Sequence, residues 1–321
     1  MFTFDKGIRL KDRPLWIDAS NGVAQCCVSH GHSDHIRRHK LTYATPATAS
    51  FIRRRLGDIP IQEIDFDQPF EIGPYFITFL PAGHILGSAQ VYVQQENGPS
   101  LLYSGDFKLD TGRTAEPLRV RQADILIMEC TFGYPKYRFP VREELEQRLC
   151  RFVEDALENG QYPLVYGYAL GKAQEAMKIL ADRGFSLAVH GSVLHMAEVY
   201  SRHGIDFGHV TRFRKNDDHR GKVIILPPQA RHQKQIRALQ PSRSIFLSGW
   251  GVDPGARFRY GVDEVLPLSD HADFEGLLRY IDLVNPKTIY TTHGPKDFYL
   301  YLRSLGYDAH PLKPSGQGEL F

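Results

Sequence analysis

Apolar positions change their rhythm along this chain. Over the first third they come in short runs bounded by Gly, Pro, Asp or Ser. The runs Pro14-Leu15-Trp16-Ile17-Asp18, Gly22 to Ser29, Ile59-Pro60-Ile61, Tyr75 to Leu80, Gln90 to Val93, Ser100 to Tyr103 and Asp124 to Glu129 predict strands. Pro46 to Leu56 reads as a helix, with Pro near its start and Gly57 at its end. A second helix is expected through Ile36-Arg37-Arg38, with Asp34 at its positive end. From Val141 the period lengthens: Leu145, Leu149, Phe152, Val153, Ala156 and Leu157 recur at helical spacing up to Gly160.

Strands then alternate with helices. The strands are 162–166, 186–189, 223–226 and 244–247; the helices are 172–181, 193–200 and 230–239. This order predicts a parallel α/β unit over residues 141–246, inserted between 1–140 and 247–321. Strands at 264–266 and 288–291 and helices at 274–284 and 297–305 complete the outer part. The Pro- and Gly-rich segment 311–321 reads as a flexible tail.

Chemistry enters at the end of the second run. His30-Gly31-His32-Ser33-Asp34-His35 places four metal-capable side chains within six residues, and imidazole with carboxylate suits zinc, manganese or iron better than calcium. An extended His-x-His points both rings the same way, leaving Asp34 and His35 for a second ion. Six residues cannot close two coordination shells. Ala82-Gly83-His84, Ser104-Gly105-Asp106 and Thr292-His293-Gly294 each follow a strand and offer the remaining donors.

Composition narrows the picture a little. With 321 residues, 42% hydrophobic content and a net charge of +2, the chain has an ordinary globular balance and no global basic footprint. Cys26, Cys27, Cys130 and Cys150 form no C-x-x-C pair, which points to a reducing compartment and a cytoplasmic location. No run approaches the ~20 apolar residues of a membrane span, and no signal peptide is expected.

The order HxHxDH, His, Asp, His resembles the metallo-β-lactamase fold, a four-layer αβ/βα sandwich with its site at one edge. The resemblance implies one metal on His30, His32, His84 and Asp106 and a second on Asp34, His35, Asp106 and His293, with Asp18 supporting the loop. Two such divalent ions, zinc first and manganese second, activate a water for hydrolysis, Asp34 sharing in catalysis. The inserted unit resembles the β-CASP cap of nucleic-acid-processing members. Met128 to Gly133 resembles the first β-CASP motif, with Glu129 as its acid. Tyr168 to Glu175 resembles the Gly-Arg-x-Gln-Glu helix start of the mRNA-cleavage nucleases. Pro267 to Phe274 resembles the second motif, with His271 as its histidine, and Tyr290 to Gly294 the third. By this resemblance His271, held by Glu129, protonates the leaving oxygen.

Two departures refine the reading. Arg243 to Trp250 resembles the Gly-Trp segment of crosslink-repair DNA exonucleases, which usually lack the third-motif histidine that His293 supplies here. The mixture, with a short cap, resembles bacterial DNA-ligase-associated exonucleases. The expectation is a metal-dependent DNA exonuclease acting from a 5′ end in repair beside an ATP-dependent ligase. An RNA 3′-end-processing nuclease and a catalytically dead scaffold are the alternatives. Lys172, Ser248 and Gly249 are candidate substrate contacts; Trp250 is expected to pack rather than stack. Gln317-Gly318-Glu319-Leu320-Phe321 resembles the peptide by which bacterial DNA enzymes bind the sliding clamp.

Overall fold

The computed structural model describes residues 1–314. It divides into two compact units. The first comprises Met1–Thr111, Ala115–Pro135 and His271 onward; the second comprises Gly112–Thr114 and Lys136–Asp270.

Two sheets build the first unit among the described residues. One runs in the order Phe2–Phe4, Ile8–Leu10, Leu15–Ile17, Gln25–Cys27, Leu41–Ala44, Ile61–Glu63. The other runs Ala309–Pro311, Thr288–Thr292, Ile125–Glu129, Ser100–Tyr103, Ala89–Gln95, Tyr75–Pro81, Phe70–Ile72. Ile8, Leu10, Leu15, Ile17 and Cys27 of the first sheet meet Ile77, Phe79, Val91, Val93, Leu101 and Ile127 of the second in one buried core. The opposite face of the first sheet carries Cys26, Val28 and Ala44 against Ala49 and Ile52 of helix Pro46–Leu56. Leu102, Leu126 and Met128 of the second sheet pack on Leu277, Tyr280, Ile281 and Val284 of helix Phe274–Val284 and on Phe298 and Leu302. The layers are therefore helix, sheet, sheet, helix. Adjacent Cys26 and Cys27 face opposite layers, as the two-residue strand period requires.

Local signals set the helix ends. The Thr45 hydroxyl accepts the Thr48 amide at 3.3 Å, and Gly57 ends that helix at φ +77°. Asp273 accepts the Gly276 amide at 2.8 Å, and Asn285 ends that helix in the left-handed region.

The helix expected through Ile36 to Arg38 is absent. His32 to His35 make a single turn, and the Arg37 guanidinium then takes the carbonyls of Ser33 at 2.7 Å and Ser20 at 2.9 Å. Buried Ile36 pins the segment to the core as the chain runs on into strand Leu41–Ala44. Pro311, the first residue of the expected tail, ends a strand paired with Thr288–Thr292. Residues 317–321, the clamp-like peptide, lie outside the described residues.

The second unit is a parallel sheet in the order Val210–Arg212, Leu187–Val189, Val223–Leu226, Tyr162–Tyr166, Ser242–Leu247, Glu264–Leu266. It reaches Asp270 rather than the expected 246 because Ser242–Leu247 pairs with Glu264–Leu266. It also captures residues 112–114: the Arg113 guanidinium holds Glu146 at 2.6 Å, and the Thr114 hydroxyl donates to Glu175 at 2.5 Å. The helix expected over 230–239 is a 3-10 turn, Pro228–His232, and a short helix, Lys234–Arg237, separated by extended Gln233.

Candidate metal centre

Strand ends of the first unit deliver the site. His30 follows strand Gln25–Cys27 and is fully buried. His84 follows Tyr75–Pro81, Asp106 follows Ser100–Tyr103, and His293 follows Thr288–Thr292. Two glycines allow these approaches. A Cβ on Gly83, at φ +76°, would lie 2.2 Å from the Lys108 carbonyl oxygen, and one on Gly294 would lie 2.1 Å from that of Cys130.

Four donors converge: one atom each from His30, His32, His84 and Asp106 lies within 4.8 Å of the others. His32 Nδ1 is 3.1 Å from both His30 Nε2 and His84 Nε2. A neutral imidazole carries one proton, so His32 Nδ1 can donate to one of these nitrogens at most. A cation among them satisfies every lone pair at once. Burial and the neighbouring imidazoles also hold His30 well below its ordinary pKa, in the neutral form a metal requires. The donor set therefore fits a borderline divalent ion such as zinc.

Asp106 belongs to a second group with His35 and His293. Its Oδ2 is 3.4 Å from His30 Nε2, 3.7 Å from His35 Nε2 and 3.8 Å from His84 Nε2. Asp34, 78% exposed, stands at the rim with Oδ2 3.8 Å from His35 Nε2. A cavity of about 160 Å³ beside it is lined by Asp34, His35, His293, Tyr103, Ser20 and Lys6.

Asp18 orients the loop from behind. Its carboxylate accepts the Ser29 amide at 2.8 Å, the Ser29 hydroxyl at 2.5 Å, the Tyr103 hydroxyl at 3.0 Å and His35 Nδ1 at 2.8 Å. Burial disfavours its charge, but His35 and Ser29 keep it below the ordinary range. Burial likewise opposes charge on His35, yet Asp18 outweighs it and, with Asp106 and Asp34, raises the imidazole to about 10. Ser29 Oγ also meets His30 Nδ1 at 2.9 Å, so one carboxylate sets the ring orientation of two histidines. The sequence reading missed Ser29 and Tyr103. Ser29 had one signal, its position between a strand and the first histidine.

A second buried carboxylate lies across Asp106. Glu129 Oε1 is 2.8 Å from His271 Nδ1 and accepts the Phe107 amide at 3.1 Å, while Oε2 accepts the Thr131 hydroxyl at 2.5 Å. Burial opposes the Glu129 charge, and His271 with Thr131 overcomes it. Asp106, Glu129 and His271 offer donor atoms within 4.8 Å of one another, and the His271 ring is 4.6 Å from that of His84. Thr131 was the third residue missed.

The remaining candidates lie in the second unit. Lys172 is buried and pairs with Asp270. The Ser248 hydroxyl caps the Trp250 amide at 3.3 Å, and its own amide donates to the Leu266 carbonyl at 3.0 Å. Gly249 is buried, and Trp250 packs edge-on against Tyr137 with ring centres 5.1 Å apart.

Comparison with known proteins agrees with this architecture. Residues 9–143 match the beta-lactamase superfamily domain, and residues 255–311 match the Zn-dependent metallo-hydrolase RNA specificity domain. The chain is 37% identical over 320 residues to a probable DNA ligase of Opitutus terrae, aligning 99% of itself but spanning only 31% of that protein. It is 22% identical over 325 residues to the DNA cross-link repair protein SNM1 of Arabidopsis thaliana, covering 88% of this chain and 65% of that one. A crystal structure of a protein of unknown function from Enterococcus faecalis V583 shares the fold, with a TM-score of 0.59 at 16% identity over 84% of this chain and 75% of that one. The chain belongs to the metallo-β-lactamase superfamily of metallo-hydrolases and has the β-CASP architecture within it.

No helix among the described residues is long and apolar enough to cross a membrane.

Proposed function

We propose that this chain hydrolyses phosphodiester bonds of DNA as an exonuclease in repair, starting from a 5′ end, and that it works beside an ATP-dependent DNA ligase. The observation that carries the reading is the position of Asp106, whose carboxylate stands between the four-donor group, the His35–His293 group and the Glu129–His271 pair. His30, His32, His84 and Asp106 would hold one divalent ion, zinc before manganese; Asp34, His35, Asp106 and His293 would hold the other. When bound, such a pair supplies an activated water and neutralises charge on the phosphate.

The chain's own residues do the rest. His271 engages Glu129 through Nδ1, leaving Nε2 to carry the proton that the departing oxygen takes. Glu129 positions the ring and stabilises its protonated form, and Thr131 and the Phe107 amide fix Glu129. Asp34, at the exposed rim, would help place the attacking water. The DNA preference and the link to ligation are supported by the relatives named as a probable DNA ligase and a DNA cross-link repair protein. Cytoplasmic placement is supported by four cysteines that are all free.

A second reading, RNA processing, is favoured by the match of residues 255–311 to a domain described as conferring RNA specificity. Matched DNA and RNA strands, single and duplex, labelled at one end and incubated with zinc or manganese, separate the two. Release of short products from the 5′ end of DNA is expected. Cleavage of RNA alone would replace the first reading with the second, and internal fragments would remove the exonuclease assignment.

A further inference from the structure

The connection between strands Ser242–Leu247 and Glu264–Leu266 of the second unit presents a surface that the proposed chemistry does not use. The chain leaves the strand through the 3-10 turn Gly249–Val252, enters the short helix Ala256–Tyr260, and returns as strand Glu264–Leu266.

The helix is firmly anchored. Ala256 is buried, the Tyr260 ring lies 4.3 Å from that of Phe246, and the Tyr260 carbonyl accepts from Arg231. Gly261 closes the helix in the left-handed region. The anchoring leaves Phe258 outside: it is 74% exposed, the most exposed large hydrophobic side chain among the described residues. A solitary exposed apolar residue is ordinary. Phe258 is not solitary. The Arg257 guanidinium sits 4.5 Å over its ring, Arg259 follows, and Trp250, 37% exposed, precedes it in the same connection with its ring braced edge-on by Tyr137. Asp253, the acid of the loop, is already paired with Lys136 at 2.9 Å and faces Arg259 at 3.4 Å.

We propose that Phe258 and Trp250, with the guanidinia of Arg257 and Arg259, form a binding surface for unpaired nucleotides of a DNA strand. An exposed aromatic between two arginines suits a ligand that carries both flat apolar faces and regular negative charge. Unpaired nucleotides offer both, whereas a duplex offers phosphates but hides its base faces. Charge complementarity argues against an apolar protein partner. The choice of DNA rests on the functional reading above; the surface itself does not require that reading's chemistry.

The test uses the full chain carrying His271→Ala, so that turnover is strongly suppressed while binding is measured, and a fluorescent oligothymidylate with a matching duplex. Phe258→Ala should weaken single-strand binding about tenfold and leave duplex binding unchanged. Phe258→Trp should restore it. Arg257→Gln with Arg259→Gln should make the slope of log affinity against log salt shallower by about 1.4, at roughly 0.7 for each phosphate no longer neutralised. Unchanged affinity and slope would overturn the surface, as would equal losses on single strand and duplex. So would a change of Phe258→Ala in oligomeric state, which would mark the patch as a contact between copies. If the starting protein binds no nucleic acid at all, the functional reading fails as well; binding that ignores these substitutions sinks only this proposal.

Discussion

Asp18 with His35 and Glu129 with His271 are the same chemical pair at the same 2.8 Å, yet they sit in different surroundings. Both carboxylates are buried at strand ends and accept hydroxyl and amide hydrogen bonds that hold them charged. The histidines differ. His35 is 5% exposed and turns Nε2 toward Asp106 and Asp34, so a carboxylate lies at each of its nitrogens. His271 is 18% exposed and packs beside the rings of His84 and Phe132. On the function proposed above, the first histidine would hold a cation and the second would pass a proton to the substrate. A carboxylate–imidazole pair thus has no single meaning, and what faces the far nitrogen decides its use.

Three substitutions probe the contrast. The largest effect is expected at the carboxylate common to both surroundings. Asp106→Asn should abolish turnover and lower the metal content of the purified protein, measured by elemental analysis; full metal content with lost activity would show that the shared carboxylate binds no ion. His271→Ala comes next. It should reduce kcat by about 10²- to 10⁴-fold, the usual worth of a positioned proton donor, with metal content unchanged. A parallel fall in metal content would collapse the distinction between the two pairs. Asp18→Asn should be the mildest, weakening metal affinity by about 10- to 100-fold in a chelator competition because it acts through His35 and Ser29. Activity should return at excess metal; failure to return would give Asp18 a part beyond orientation.

Several elements could be read directly from the chain. Helix Pro46–Leu56 carries its Pro, its terminal Gly and its apolar stripe locally, and helix Phe274–Val284 carries its Asp cap and its Asn stop. The three-residue strands Phe2–Phe4, Ile8–Leu10 and Val210–Arg212 went unread because so short a segment has no periodicity of its own and gains its strand form from the partner it pairs with. The expected helix after Asp34 failed for the reverse reason: the local charge pattern was sound, but Arg37 drew the carbonyls of Ser20 and Ser33 and buried Ile36 tied down the chain. Thr131 and Ser29 escaped notice as site residues because a hydroxyl beside a motif looks like any other turn residue until its partner is known.

The sequence by itself determined the donor types and their order, from His30 to His293, and with them the kind of site they can build. That information survives in one dimension because ligand chemistry depends on residue identity. Tertiary structure alone decided that Ser29 and Tyr103 complete the shell of Asp18, that Thr131 holds Glu129, and that Phe258 is left in solvent. These depend on strand register and on close backbone approach at Gly83 and Gly294, distances set by residues far apart in the chain.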